Sequence, residues 1–284
     1  MHPVLFSIFN FPIHSYGFML ALSFLFAIWL SSRRAKNRGL DPNAITDVGF
    51  YVILAAIIGA RLYYVFLHFD EFQNDLVAIF NPFHRGSLGI GGLVMYGGFI
   101  GALLAGYIYL KAKKLSFWAY ADVIAPSFAF GEFLTRIGCF MNGCCYGAQT
   151  HSHLGVIFPA DSPAGVYQAH VAAQLQRELG HVAGVHLYPS QLFLSAGALL
   201  IGFIILLAGR KKMFTGFEFC LTVILMSVLR FIVDFTRFYT DSERLGGLSH
   251  NQLVCIALFI IFGGLILRNV ISAKELPVPV AATK

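Results

Sequence analysis

Arg136 stands inside an apolar run, Phe133-Leu134-Thr135-Arg136-Ile137-Gly138-Cys139-Phe140-Met141-Asn142-Gly143-Cys144-Cys145-Tyr146-Gly147. A guanidinium cannot shed its charge at hydrocarbon depth, so it needs an anion, a polar cavity or water. Gly138, Gly143 and Gly147 let the backbone leave helical geometry and approach a bound group closely. This stretch reads as the floor of a buried polar site where an anionic group meets Arg136. A second charged set, Arg230, Asp234 and Arg237, has the i, i+4, i+7 spacing of one helix face. Asp234 pairs with one of these arginines and cannot neutralise both. Arg61 adds a further intramembrane cation, and Glu132, Glu218 and Asp122 offset part of the surplus. Guanidinium forks bind phosphate oxygens bidentately, so an arginine-lined interior suits a phosphate. A voltage sensor strings its arginines along one helix; here they fall on three, which argues against one.

The candidate proton acceptors are His14, at the outer edge of the first apolar run, and Tyr96, framed by Gly91, Gly92, Gly97 and Gly98. Each has a plainer reading, an interfacial anchor for His14 and the aromatic belt for Tyr96. Cys139, Cys144 and Cys145, followed by His151 and His153, have thiol and imidazole ligands for zinc, but their spacing is not a standard structural-zinc pattern. A disulfide from Cys139 to one of the pair and three packing thiols stay open beside it, with packing the plainest. Cys220 and Cys255 lie alone in apolar segments and read as packing residues.

The elements that position these residues are membrane spans. Of 284 residues, 57% are hydrophobic and 12% charged, with a mean hydropathy of +0.72. Soluble domains carry about 25% charged residues, so the chain reads as an all-α integral membrane protein. Spans are expected at 14–31, 47–67, 91–110, 118–140, 190–208, 216–236 and 251–268. Arg33, Arg34, Lys36 and Arg38 follow the first; Lys111, Lys113 and Lys114 follow the third. Arg210, Lys211 and Lys212 follow the fifth, and Arg268, Lys274 and Lys284 follow the last. These make 13 of the 20 Lys and Arg on one side. The excess orients the N-terminus outside and the C-terminus in the cytoplasm. The net charge of +6 therefore expresses topology and not a nucleic-acid surface.

The first run lacks a basic n-region and a cleavage pattern, so it is expected to be retained. Residues 144–189, with five histidines, are expected to form a small extracytoplasmic cap containing a helix from Gln168 to Gly180. The other long outer segment is 68–90. There is no internal repeat and no second soluble domain: residues 1–284 form a single polytopic domain.

Six segments occur in the order seen in prolipoprotein diacylglyceryl transferases, which the chain resembles from about residue 10 to 268. They are His14-Ser15-Tyr16-Gly17, Gly59-Ala60-Arg61, Tyr96-Gly97-Gly98, Arg136 through Gly143, Tyr188-Pro189-Ser190-Gln191-Leu192, and Arg230-Phe231-Ile232-Val233-Asp234. The resemblance implies transfer of a diacylglyceryl group from phosphatidylglycerol to the lipobox cysteine of a prolipoprotein signal peptide, releasing glycerol 1-phosphate. It implies no metal or nucleotide cofactor, and a place in the bacterial inner membrane. Arg136 matches the lipid-binding arginine and Arg230 the second essential arginine. Asn142 and Gly147 match other signature positions. Tyr16, Arg61, Asn142, Gly147, Asp234 and Arg237 become the substrate-binding set, and Tyr96 or His14 the acceptor of the thiol proton. The chain departs where Tyr96 and Tyr188 replace usual histidines, and where Cys139 and Cys144 replace an asparagine and a glutamate. A paralogue with another thiol acceptor is one alternative. A non-enzymatic lipid or anion carrier is another, although carriers typically show repeated halves.

Overall fold

The computed structural model describes residues 3–8, 11–72, 83–84, 87–88, 95–179, 185–211, 213–239 and 244–275. Its helices are α1 (Ser15–Asn37), α2 (Pro42–Leu67), α3 (Phe69–Phe72), α4 (Met95–Ala112), α5 (Phe117–Asn142), α6 (Pro163–Leu179), α7 (Ser190–Ala208), α8 (Phe217–Asp234) and α9 (His250–Glu275). Short antiparallel pairs fill the connections: β1 (Val4–Ile8) with β2 (Phe11–His14), β3 (Phe83–His84) with β4 (Ser87–Leu88), β5 (Gln149–Thr150) with β6 (His186–Leu187), and β7 (Arg244–Leu245) with β8 (Leu248–Ser249). Among the described residues, five helices are long and apolar enough to cross a membrane: α1, α2, α5, α7 and α9. The chain is an integral helical membrane protein. Seven spans were expected. The other two coincide with α4, which begins at Met95 where 91 was expected, and with α8, whose 18 residues include Glu218, Arg230 and Asp234.

Several expectations lie outside the described residues: Arg85, Gly86, Gly89, Gly91, Gly92, Gly180, His181, Lys212 and Lys284, with the side chains of Tyr96, Arg177 and Lys274.

The chain divides into two compact units. The unit of residues 31–120 is built on α2 and α4. Asp41 caps α2, accepting from the Asn43 amide at 2.9 Å, and Pro42 occupies the first turn, where its missing N–H costs nothing. The two helices meet through small residues. A Cβ on Gly97 would collide with the Gly59 carbonyl and Tyr63, and one on Gly101 with the Ala55 carbonyl. Apolar lipid supplies no hydrophobic drive between helices, so such close backbone contact provides the attraction instead.

The other unit comprises 1–30 and 121–284. Its core sets Ala125 and Ala129 of α5 against Ile201 and Ile205 of α7, with Phe219, Leu225 and Leu229 of α8 packed on them. Gly216 starts α8 at φ +100°, and the buried Asp122 carboxylate accepts from the Gly216 amide at 2.6 Å and the Phe219 amide at 2.9 Å. An acid of α5 thus satisfies the orphan donors and positive dipole end of α8.

Residues 144–189 carry structure of their own. Phe158, Ala164, Val185 and Leu187 form a small core under Phe140, Tyr146 and Tyr167. Buried Gln168 ties it: its Oε1 accepts from the Phe158 amide (2.8 Å), and its Nε2 donates to the carbonyls of Val156 (3.0 Å) and Val185 (2.7 Å). The expected helix is present but begins at Pro163, not Gln168. Ser162 accepts from the Gly165 amide at 3.1 Å, and Pro163 takes the first helical position, a start signal legible in the chain.

Candidate functional site

The site grows from the way α5 ends. Gly143 adopts φ +70° and donates to the Phe140 carbonyl at 3.2 Å, while the Cys144 amide donates to the Cys139 carbonyl at 3.0 Å. These two bonds make a Schellman stop, which folds the chain back over the last helical turn. Cys145 follows at φ +60°, a left-handed conformation a side chain rarely adopts. The consequence is a convergence of thiols. The Sγ atoms of Cys139, Cys144 and Cys145 all lie within 4.8 Å of one another. Cys139 is buried, Cys145 is exposed, and all three are free thiols. The Asn142 side chain lies beside the Cys144 thiol. Hydrogen bonds from Cys139 and Cys144, joined by the charges of Arg136 and Arg237, hold the Cys145 thiol well below its ordinary range.

Arg136 sits one turn before Cys139, on the same helix. Its Nε donates to Glu132 Oε1 at 2.7 Å, with 19% and 23% of the two side chains exposed. The pair answers the sequence's demand for an anion, and it leaves the fork's two Nη groups as the part suited to a phosphate. Tyr16 of α1 lies within electrostatic reach of Arg136 and of all three thiols. Gly138 brings it there. This glycine stays helical, contrary to expectation; a Cβ on it would press Met19 at 2.8 Å and Tyr16 at 3.4 Å, so its role is to admit α1.

The end of α8 supplies the second charged group. Arg230 Nη2 lies 3.5 Å from Asp234 Oδ1, as the i, i+4 spacing requires. The Asp234 side chain is only 1% exposed and also accepts from Tyr239 Oη at 2.7 Å and from the Ser249 hydroxyl. Arg237 does not share that face. The helix stops at Asp234, and Thr236 and Arg237 donate to the carbonyls of Val233 (2.9 Å) and Asp234 (3.0 Å), tightening the chain into i→i+3 turns. Arg237 is thereby turned toward the thiols.

That turn is stitched to the cysteine segment. Ala148 donates to the Thr236 carbonyl at 2.7 Å, Gly147 to the Tyr188 carbonyl at 2.8 Å, and Gln191 Nε2 to the Cys144 carbonyl at 2.7 Å. Gly147 is needed for this approach, since a Cβ there would strike Ser190, the Thr236 carbonyl and Tyr188. A cavity of about 380 Å³ opens here, lined by Cys145, Tyr146, Gly147, Tyr167, Arg237 and Phe238.

Arg136, Asn142, Gly147, Tyr16 and Arg237 thus gather with the thiols, and Arg230 and Asp234 anchor the turn that carries Arg237. His14 ends β2, exposed, immediately before α1. No hydrogen bond or ion pair among the described residues links it to Arg136. Arg61 and Tyr96 belong to the other unit. There Arg61 lies over the rings of Tyr64 (5.7 Å) and Phe72 (5.3 Å). Tyr239 and Ser249, which donate to Asp234, are polar residues in short connections and carry no motif in the sequence. Gln191 belongs to the Tyr188-Pro189-Ser190-Gln191-Leu192 segment, and its polar side chain at the head of an apolar run is the signal the chain offers.

A family profile described as prolipoprotein diacylglyceryl transferase matches residues 3–268. A Clostridium perfringens protein named phosphatidylglycerol–prolipoprotein diacylglyceryl transferase 2 is 32% identical over 274 residues, covering 96% of this chain and 97% of its own. Similarly named proteins of Clostridium tetani and Listeria innocua are 34% and 32% identical, covering 95% and 94% of this chain and 98% and 89% of theirs. Matches of this length and level span the arginine, thiol and α8 segments together. By that full-length similarity, the chain belongs to the prolipoprotein diacylglyceryl transferase family.

Proposed function

We propose that this protein is a transferase that moves the diacylglyceryl group of phosphatidylglycerol to the lipobox cysteine thiol of a prolipoprotein, releasing glycerol 1-phosphate. The observation that carries the reading is Arg136. It is a guanidinium held within an apolar helix, its Nε engaged by Glu132, and within electrostatic reach of Cys145, which borders a cavity with Arg237. In the reaction the acceptor sulfur bonds to the glycerol carbon as the carbon–oxygen bond to phosphate breaks. Charge grows on the departing phosphate monoester. Preorganised guanidiniums at low dielectric stabilise such charge without reorganising. Arg136 and Arg230 take this role, with Arg237, Asn142, Gly147 and Tyr16 shaping the headgroup site. Asp234 positions Arg230 by its ion pair. The roles of Arg61 as a headgroup ligand and of Tyr96 or His14 as proton acceptor rest on the resemblance alone.

Seven spans, with α4 and α8 counted beside the five longest apolar helices, suit this function, as does a single polytopic domain. Residues 144–189 then form an extracytoplasmic cap, with the N-terminus outside and the C-terminus in the cytoplasm of an inner membrane. The basic runs after α1, α4 and α7 support that orientation. Phosphatidylglycerol is anionic and already in the bilayer, so both substrates arrive through the membrane.

The test is glycerol phosphate release by the purified protein in detergent with a lipobox peptide, comparing phosphatidylglycerol with phosphatidylcholine. Release confined to phosphatidylglycerol and lost in Arg136→Ala supports the reading. Bound lipid without release in the wild-type protein favours a carrier.

A further inference from the structure

The three thiols beside Arg136 are not explained by packing, since Cys145 is exposed and keeps a strained left-handed backbone. We propose that Cys139, Cys144 and Cys145 bind a zinc ion whose fourth position takes the acceptor cysteine thiol. This inference rests on the transferase reading above and names the group that activates the acceptor.

The geometry fits a trithiolate. Three Sγ atoms within 4.8 Å of one another have a common point no more than about 2.8 Å from each, so closing to the Zn–S length of about 2.3 Å takes only about 0.5 Å per sulfur. Two backbone features hold them in place: the glycine stop at Gly143, and the Gln191 bond to the Cys144 carbonyl. Gln191 Oε1 is buried and has no partner among the described residues, and the Asn142 side chain lies beside the Cys144 thiol. Outer groups of this kind orient ligands and tune the metal. Three thiolates on Zn2+ carry a net charge of −1, which Arg136 and Arg237, both within electrostatic reach of Cys145, offset. A site with three protein ligands keeps an open position, the mark of catalytic zinc. That position would face the cavity bordered by Cys145 and Arg237.

The chemistry balances without a redox partner. A thiol that coordinates zinc gives up its proton, here to water. The zinc-bound sulfur then bonds to the glycerol carbon, and the carbon–oxygen electron pair leaves with the phosphate monoester toward Arg136. The thioether product is a weak ligand and departs. Zinc thereby does what a phenol, with an ordinary pKa of about 10, does poorly at neutral pH.

The test is cobalt and zinc titration of the reduced, full-length protein in detergent, alongside glycerol phosphate release. The expected result is one zinc per chain by elemental analysis and a thiolate-to-cobalt charge-transfer band. Both should be lost at least tenfold in Cys145→Ala and kept in Cys220→Ala. A lipobox peptide should shift the cobalt bands, and its Cys→Ser counterpart should not. Because the titration uses the wild-type protein, a misfolded variant does not decide it. No stoichiometric metal, a protein isolated as a disulfide that turns over without metal, or bands that ignore the peptide would overturn the proposal. Full turnover by metal-free protein would sink the zinc and leave the transferase standing. Stoichiometric metal with a peptide shift but no transfer from phosphatidylglycerol would support the site and count against the lipid reaction.

Discussion

At the scale of single residues, charge is placed where it is costly and then partnered. Arg136 has Glu132 one turn away on its own helix, and Arg230 has Asp234 in the same relation. Replacing Arg136 by alanine removes both the charge and the fork. Turnover should fall by at least about 10²- to 10³-fold, as for the loss of one preorganised donor, measured as glycerol phosphate release. Arg136→Lys should recover little, because an ammonium is a point charge without the fork. Asp234→Ala should act on stability as well. It strips the partner from Arg230 and the acceptor from Tyr239 and Ser249, at a cost of about 3 kcal/mol for a buried network, read as a lowered thermal midpoint in detergent. The Arg230–Asp234 pair was legible in the sequence because helical spacing dictates it. The position of Arg237 was not: three residues past Asp234 keeps one face only if the helix continues, and here i→i+3 turns end it. Nor was the meeting of the three thiols, which depends on left-handed backbone at Gly143 and Cys145 that spacing does not reveal.

At the scale of elements, glycines decide which helices touch. Gly97→Leu should drive α4 off α2, since its Cβ already has no room beside the Gly59 carbonyl and Tyr63. Overpacking of this sort costs about 1–3 kcal/mol or more; a thermal midpoint unchanged from wild type would contradict the packing described. Gln168→Leu removes three hydrogen bonds inside the 144–189 segment; the Val156 carbonyl keeps the Leu187 amide, but the Phe158 amide and the Val185 carbonyl lose their Gln168 partner. A loss of about 2–3 kcal/mol is expected, read as faster proteolysis within that segment. Helix positions were largely legible here, because runs of apolar residues near span length are unambiguous. The α7 bounds matched the expected 190–208. The helix α6 starts five residues before the expected Gln168 because Ser162 accepts from the Gly165 amide and Pro163 opens the first turn. The β1–β2 pair before α1 carries no alternation strong enough to announce it.

At the scale of the whole molecule, composition made the membrane legible at once, and the placement of Lys and Arg is the ground for the proposed orientation. A reporter active only outside the cytoplasm should be silent when fused after residue 284 and active when inserted near residue 153, within the proposed cap. The reverse pattern would overturn the topology. The activity itself became legible only as an ordered set of segments around Arg136 and Arg230, since no single one of them names a reaction.

The central claim is that a diacylglyceryl group leaves phosphatidylglycerol for a thiol at this site. The most direct measurement follows one reaction in two ways, with purified protein, phosphatidylglycerol and a synthetic lipobox peptide: glycerol phosphate released, and the mass of the peptide. The account predicts equal amounts of released glycerol phosphate and of peptide heavier by one diacylglyceryl group, both abolished by Arg136→Ala. Release with an unmodified peptide, or full activity in Arg136→Ala, would contradict it.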